Sequence, residues 1–130
     1  MERVFTPNAP QPAGHFSQAV VFKDLIFISG QLPIDPRSGD KRLGSIEEQA
    51  EQSFQNMAEV LLASGSDLGH VLKTTIFLTD MGLGERVDQA YALFFGMHRP
   101  ARSLVSCPEL PFGFKIEIEA VAGRTEAEQG

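Results

Sequence analysis

The sequence predicts an α+β domain, a mixed β-sheet with two amphipathic helices packed on one face. Three observations carry this. Short runs rich in Val, Ile and Phe alternate with Gly, Pro and charged turns, as strands do. Two segments, beginning at Ser45 and near Leu83, instead repeat apolar residues every three to four positions, as helices do. The chain has 130 residues and 42% hydrophobic content, enough for one core, so a single domain over 1–130 is expected.

Residues 3–6 read as a first short strand. Asn8 to Gly14, with Pro10 and Pro12, is extended or turning. Ala19–Phe22 and Leu25–Ser29 are apolar runs split by Lys23-Asp24, a hairpin whose second strand ends at Gly30-Gln31-Leu32-Pro33. Prolines, glycines and charges mark 34–44 as a surface loop. Ser45 and Glu48 form a capping-box pattern, and Ile46, Ala50, Phe54, Met57 and Leu61 form the stripe of a helix stopped by Gly65. Val71–Thr79 is β-branched and reads as a central strand. Leu83, Val87, Tyr91 and Phe94 mark a second helix ending at Gly96. Ala101–Ser106 and Phe114–Ala122 complete the order βββαβαββ, and Arg124 to Gly130 is a polar tail expected to fray.

In the last strand Phe114, Ile116, Ile118, Ala120 and Ala122 point one way and Lys115, Glu117 and Glu119 the other. Two helices cover only one sheet face. The other carries these charges beside neighbours such as Val71 and Phe77, or their alternates on the central strand. Such a face is either solvated or packed against another subunit, and with two helices available an oligomer that covers it is expected.

The formal net charge is −6, and no lysine or arginine cluster is present, which argues against nucleic acid as a partner. A lone Cys107 allows no intrachain disulfide, and neither a CxxC nor a His/Cys cluster suggests a metal. No run approaches membrane-spanning length or resembles a signal peptide, so a cytoplasmic, reducing location is expected. Ser17 and Ser103 lack a base arranged for nucleophilic catalysis. His15, His70 and His98 read as surface, strand-entry and turn residues, and Cys107 as a buried, inert thiol.

Arg102 follows a proline at the start of a strand, so its guanidinium is carried by rigid backbone. A guanidinium that forks onto a carboxylate, near a glutamate that handles a water, describes a hydrolase site for a small anion. The same residues also describe an interface ion pair between Arg102 and Glu117 or Glu119, and the pattern alone leaves both open.

Five ordered motifs carry a resemblance that spans about Val4 to Ala122: Gly14-His15-Phe16-Ser17-Gln18-Ala19, Phe27-Ile28-Ser29-Gly30-Gln31-Leu32-Pro33, Lys73-Thr74-Thr75-Ile76-Phe77-Leu78-Thr79-Asp80-Met81, Arg99-Pro100-Ala101-Arg102-Ser103 and Ile116-Glu117-Ile118-Glu119-Ala120. In these the sequence resembles the RidA/YjgF family of enamine/imine deaminases, whose members were formerly described as endoribonuclease L-PSP. The resemblance implies a chorismate-mutase-like fold and a homotrimer with a central β-barrel and clefts between subunits. It implies hydrolysis of 2-iminopropanoate and 2-iminobutanoate to 2-keto acids and ammonia, with no metal or organic cofactor. By the same resemblance Arg102 binds the substrate carboxylate, Glu117 positions or activates water, and Ser29, Gly30 and Gln31 line the cleft. Two positions depart from the family pattern: Phe16 stands for a pocket tyrosine and Leu104 for a cysteine, which makes the implied substrate-binding cleft more apolar. Asp88 stands where some members have asparagine. A relative acting on another small imine, enamine or amide, and a non-catalytic metabolite-binding or chaperone-like trimer, are the alternative readings.

Overall fold

A computed structural model describes residues 1–125. Its six strands are β1 (Glu2–Val4), β2 (Ala19–Phe22), β3 (Leu25–Gln31), β4 (Val71–Leu78), β5 (Ala101–Ser106) and β6 (Ile116–Gly123), with helices α1 (Ile46–Ala63) and α2 (Gly84–Phe95). They form one sheet in the order β1-β2-β3-β6-β4-β5, antiparallel except for the parallel pair β4–β5 that α2 connects.

Both helices start and stop where their sequences direct. Ser45 Oγ accepts the Glu48 N–H at 3.2 Å. At the far end Gly65 takes φ +81°, which lets the Ser66 and Gly65 N–H groups close on the Leu61 and Leu62 carbonyls. Asp80 accepts the Gly82 N–H just before α2, and Gly96 ends α2 at φ +65°. Phe54, Met57 and Leu61 of α1 and Val87, Tyr91 and Phe95 of α2 pack on Ile26, Ile28, Ile76, Ile116 and Ile118 of the sheet. Phe54 and Tyr91 meet edge to face at 5.7 Å.

Two strand ends, the face of one residue and the state of the tail differ from expectation, each for a reason visible in its contacts. β1 stops at Val4 because the Thr6 N–H goes to Gln18 Oε1 (2.6 Å) instead of a neighbouring strand. β6 starts at Ile116, since the Lys115 N–H is taken by Gln49 Oε1 of α1 (2.9 Å). Val71 faces the helices, not the open face with Phe77: a bulge at Leu72 shifts the register between Val71↔Ala122 and Lys73↔Val121. The tail is anchored at its first two residues, with the Arg124 N–H on Asp24 O, its guanidinium on Glu2, and the Thr125 N–H on Gly65 O. The rest of the tail, 126–130, lies outside the described residues.

The face away from the helices presents Phe22, Leu25, Phe27, Phe77, Val105 and Val121 around Glu117 and Glu119. Phe22 and Phe27 are about half exposed, at 52% and 46%. This is a mixed face of the kind the sequence implied. Among the described residues no helix is long and apolar enough to cross a membrane.

Candidate active site

The expected site residues fall into two groups. The first lies on the open face around a second bulge. Ile28 pairs with Ala120 and Gln31 with Ile118, so Ser29 and Gly30 together oppose Glu119. Ser29 Oγ donates to Ser17 O at 2.6 Å, and Gln31 Nε2 donates to Ser29 O at 3.0 Å, which fixes the bulge against the segment before β2. Glu117 crosses over it. A Cβ built on Gly30 would lie 2.5 Å from Glu117 Oε2, so the missing side chain is the space the carboxylate occupies. Burial raises the Glu117 pKa above the usual carboxylate range, and the nearby Glu119 charge adds to the shift. Phe16, Gly30, Gln31 and Phe112 line a small cavity of about 70 Å³ beside this group.

The second group lies at the sheet edge, on the helix side. Arg102 pairs in register with Thr74 and points towards α2. Its Nη1 donates to Asp88 Oδ1 at 2.8 Å, and its guanidinium carbon lies 4.8 Å from the centre of the Tyr91 ring. The Tyr91 hydroxyl shares a 2.6 Å hydrogen bond with buried Thr74 Oγ1. Burial raises the Tyr91 pKa, which keeps this phenol neutral. His98 Nε2 lies 2.7 Å from the Val71 carbonyl. A carbonyl only accepts, so this nitrogen carries the proton and a neutral ring presents Nδ1 as acceptor. Asp88, Tyr91, His98 and Arg102, with Arg99 and Pro100, line a surface cavity of about 470 Å³.

Leu104 is on the same side of β5 but packs near Gly84 at the start of α2 as a fringe of the core, and does not line the Arg102 cavity. A larger surface cavity, about 550 Å³ between α1 and the 35–42 loop, contains none of the expected residues. Cys107 is half-buried with its thiol towards Leu78 O, His15 is exposed, and His70 pairs with Asp67 ahead of β4. Among the described residues no three His, Cys, Asp or Glu side chains gather as a metal site.

Arg102 and Glu117 do not meet within one chain. β4 lies between their strands, and their partners on it, Thr74 and Phe77, are three residues apart. Strand spacing and rise put the two Cα atoms about 14 Å apart, and the side chains leave opposite faces of the sheet. Sequence reasoning did not find Tyr91 and His98 as neighbours of Arg102. The one available signal was that Tyr91 follows Asp88 by three residues on a helix, and therefore shares its face.

An α+β sheet domain with a cationic cavity at one edge and a desolvated carboxylate on its open face is the class these observations define. The endoribonuclease L-PSP family model matches residues 6–123, and the chain belongs to that family, also known as RidA/YjgF. It is 42% identical to the human 2-iminobutanoate/2-iminopropanoate deaminase over 119 residues, 92% of this chain and 87% of that protein. It is also 42% identical to a RutC family protein of Pyrococcus horikoshii over 121 residues, covering 93% and 96% of the two chains. Among solved structures, the E. coli YjgF gene product superposes with a TM-score of 0.91 at 37% identity, covering 96% of this chain and all of that one. E. coli TdcF with bound serine also superposes at 0.91, with 33% identity and the same coverage.

Proposed function

We propose that the chain is a deaminase that hydrolyses small 2-imino acids, 2-iminopropanoate and 2-iminobutanoate, to the 2-keto acid and ammonia, and that it works as a homotrimer. Arg102 holds the substrate carboxylate and Glu117 positions the water. The observation that carries the assembly is the placement of the two groups: they leave opposite faces of one sheet, so a cleft that uses both must take one from each of two copies. The partly apolar open face supplies the surface for that contact, and in a trimer three such faces enclose a central barrel. Support for the substrate comes from the human relative, named for this activity, and from TdcF, a similar fold with a small amino acid bound.

The chemistry follows from the groups. Two N–H groups of Arg102 fix the carboxylate, which holds the adjacent C=N carbon in place. Glu117 accepts a proton as water adds to that carbon. The carbinolamine then collapses: Glu117 returns that proton to the nitrogen, the C–N bond breaks so that the nitrogen leaves as ammonia, and the hydroxyl gives its proton to Glu117 as it becomes the keto oxygen. Ser29, Gly30 and Gln31 line the Glu117 side, and Phe16 adds an apolar wall there. A ribonuclease reading has less support, because a chain of net charge −6 without a basic cluster has little to hold phosphates.

The test is the decay of imino acid generated in situ, with Arg102→Ala, with Glu117→Ala, and with the two inactive variants mixed and reassembled. With one residue from each of two copies, random mixing leaves about one cleft in four intact, so roughly a quarter of the wild-type rate should return. Failure of the wild type to speed decay refutes the activity. A mixture that stays as inactive as its parts refutes the shared cleft.

A further inference from the structure

A carboxylate anchor has no need of Asp88, yet this side chain takes one corner of the Arg102 guanidinium at 2.8 Å. The guanidinium lies on the Tyr91 ring, and that ring is fixed by the bond to buried Thr74, so Arg102 cannot turn from Asp88 without leaving its support. Only Nη1 is engaged, and among the described residues Nε and Nη2 have no partner. The Arg102 side chain is 25% exposed and that of Asp88 58%, so the acid flanks the open side of the cavity.

We propose that Asp88 is a specificity-determining residue, one that makes this cavity prefer ligands with a cationic nitrogen beside the carboxylate over 2-keto acids. Such ligands are 2-amino acids and the protonated form of 2-imino acids. The proposal rests on the reading of Arg102 as the carboxylate anchor. The free Nε/Nη2 edge still offers two parallel donors to a ligand carboxylate. The group on the next carbon then lies within the field of Asp88. A protonated nitrogen is attracted there, whereas a keto oxygen turns lone pairs towards a carboxylate and is repelled. A ligand with only a carboxylate also meets a guanidinium whose charge is partly compensated. Hydrolysis replaces the cationic nitrogen with a keto oxygen, so the product loses the contact that held the substrate and departs more readily. The competing explanation is an ordinary surface ion pair, which would treat both ligand classes alike.

Calorimetric titration of the whole chain with L-2-aminobutanoate and with 2-oxobutanoate separates the two. The wild type should favour the amino acid. In Asp88→Asn the keto acid should bind roughly tenfold tighter while the amino acid gains nothing, so the preference falls by at least that factor. Asp88→Ser is a second neutral variant, and thermal melts check that both fold. If both ligands shift by one common factor, or the ratio stays put, the Asp88 inference is overturned while the anchor survives. If Arg102→Ala leaves keto-acid affinity intact, or the wild type binds neither ligand, the anchor reading falls and the inference falls with it.

Discussion

Replacing Gly30 by alanine should move the Glu117 carboxylate without altering its chemistry. The new Cβ would lie 2.5 Å from Oε2, 2.8 Å from Cδ and 3.2 Å from Cγ. Ordinary contact begins near 3.5–4 Å, so the carboxylate must retreat by about 1 Å. It is the far end of a flexible side chain, and leaving its preferred rotamer costs about 0.5–1.5 kcal/mol. Gly30 is not among the positive-φ glycines, so alanine meets no backbone strain, and loss of glycine freedom in the unfolded chain returns about 0.4–1 kcal/mol. The two nearly cancel, and the melting temperature should stay within a few degrees of wild type. Activity should not, because a misplacement of this size costs about a hundredfold. The assay is decay of 2-iminobutanoate made in situ, with Gly30→Ala, Glu117→Ala and the double variant. If the loss runs through Glu117, the double variant is no slower than Glu117→Ala alone. A Gly30→Ala protein of wild-type stability and near-wild-type rate would refute the reasoning, and so would additive losses.

Three further outcomes are expected. The Glu117 pKa is raised first by burial and then by Glu119, so the folded state holds this proton more tightly than the unfolded state, and stability falls as pH rises through the interval between the two pKa values. Melts across pH should therefore show Glu117→Gln stabilised at pH 7–8 with the gain gone well below the ordinary carboxylate range, while Glu119→Gln should move the acid limb of the rate profile downward. Tyr91→Phe strands the buried Thr74 hydroxyl and should cost about 1–2 kcal/mol, read as a lower melting temperature, yet leave 2-oxobutanoate affinity within about twofold because the ring still supports Arg102; Tyr91→Leu should weaken it. Gln18 is buried and ties Thr6 and Pro10 through both ends of its amide, so Gln18→Leu should cost about 2–4 kcal/mol, and limited proteolysis should find new cleavage within residues 6–13.

The elements were legible because each obeyed one period: the stripe from Ile46 to Leu61 on α1, the alternation from Ile116 to Ala122 on β6. Alternation fails where a bulge adds a residue, and nothing in the β-branched run at Val71 announces the shift that turns Val71 inward. Gln18, Gln49 and Arg124 set element ends through side chains reaching across 12 to 66 residues, a distance no local pattern records. The residue types at the site were legible from the motifs, and the face of Glu117 from the alternation along β6, but the face of Arg102 was not. Arg102 points towards α2 because β5 pairs in parallel with β4 at Thr74↔Arg102, and that pairing is a tertiary fact. The same pairing separates Arg102 from Glu117, so their relation could not be read from either strand alone.

The ion pair between Glu2 and Arg124 brings the beginning of β1 and the end of β6 to one corner of the molecule, beside the turn at Asp24. A short linker from residue 125 back to residue 2 would close the backbone into a ring without crossing either polar cluster. New termini could then be cut in the exposed 37–40 loop, and the rearranged gene would encode the same sheet in a different chain order. Reporter domains attached directly to residue 2 and to residue 125 would emerge side by side at this corner.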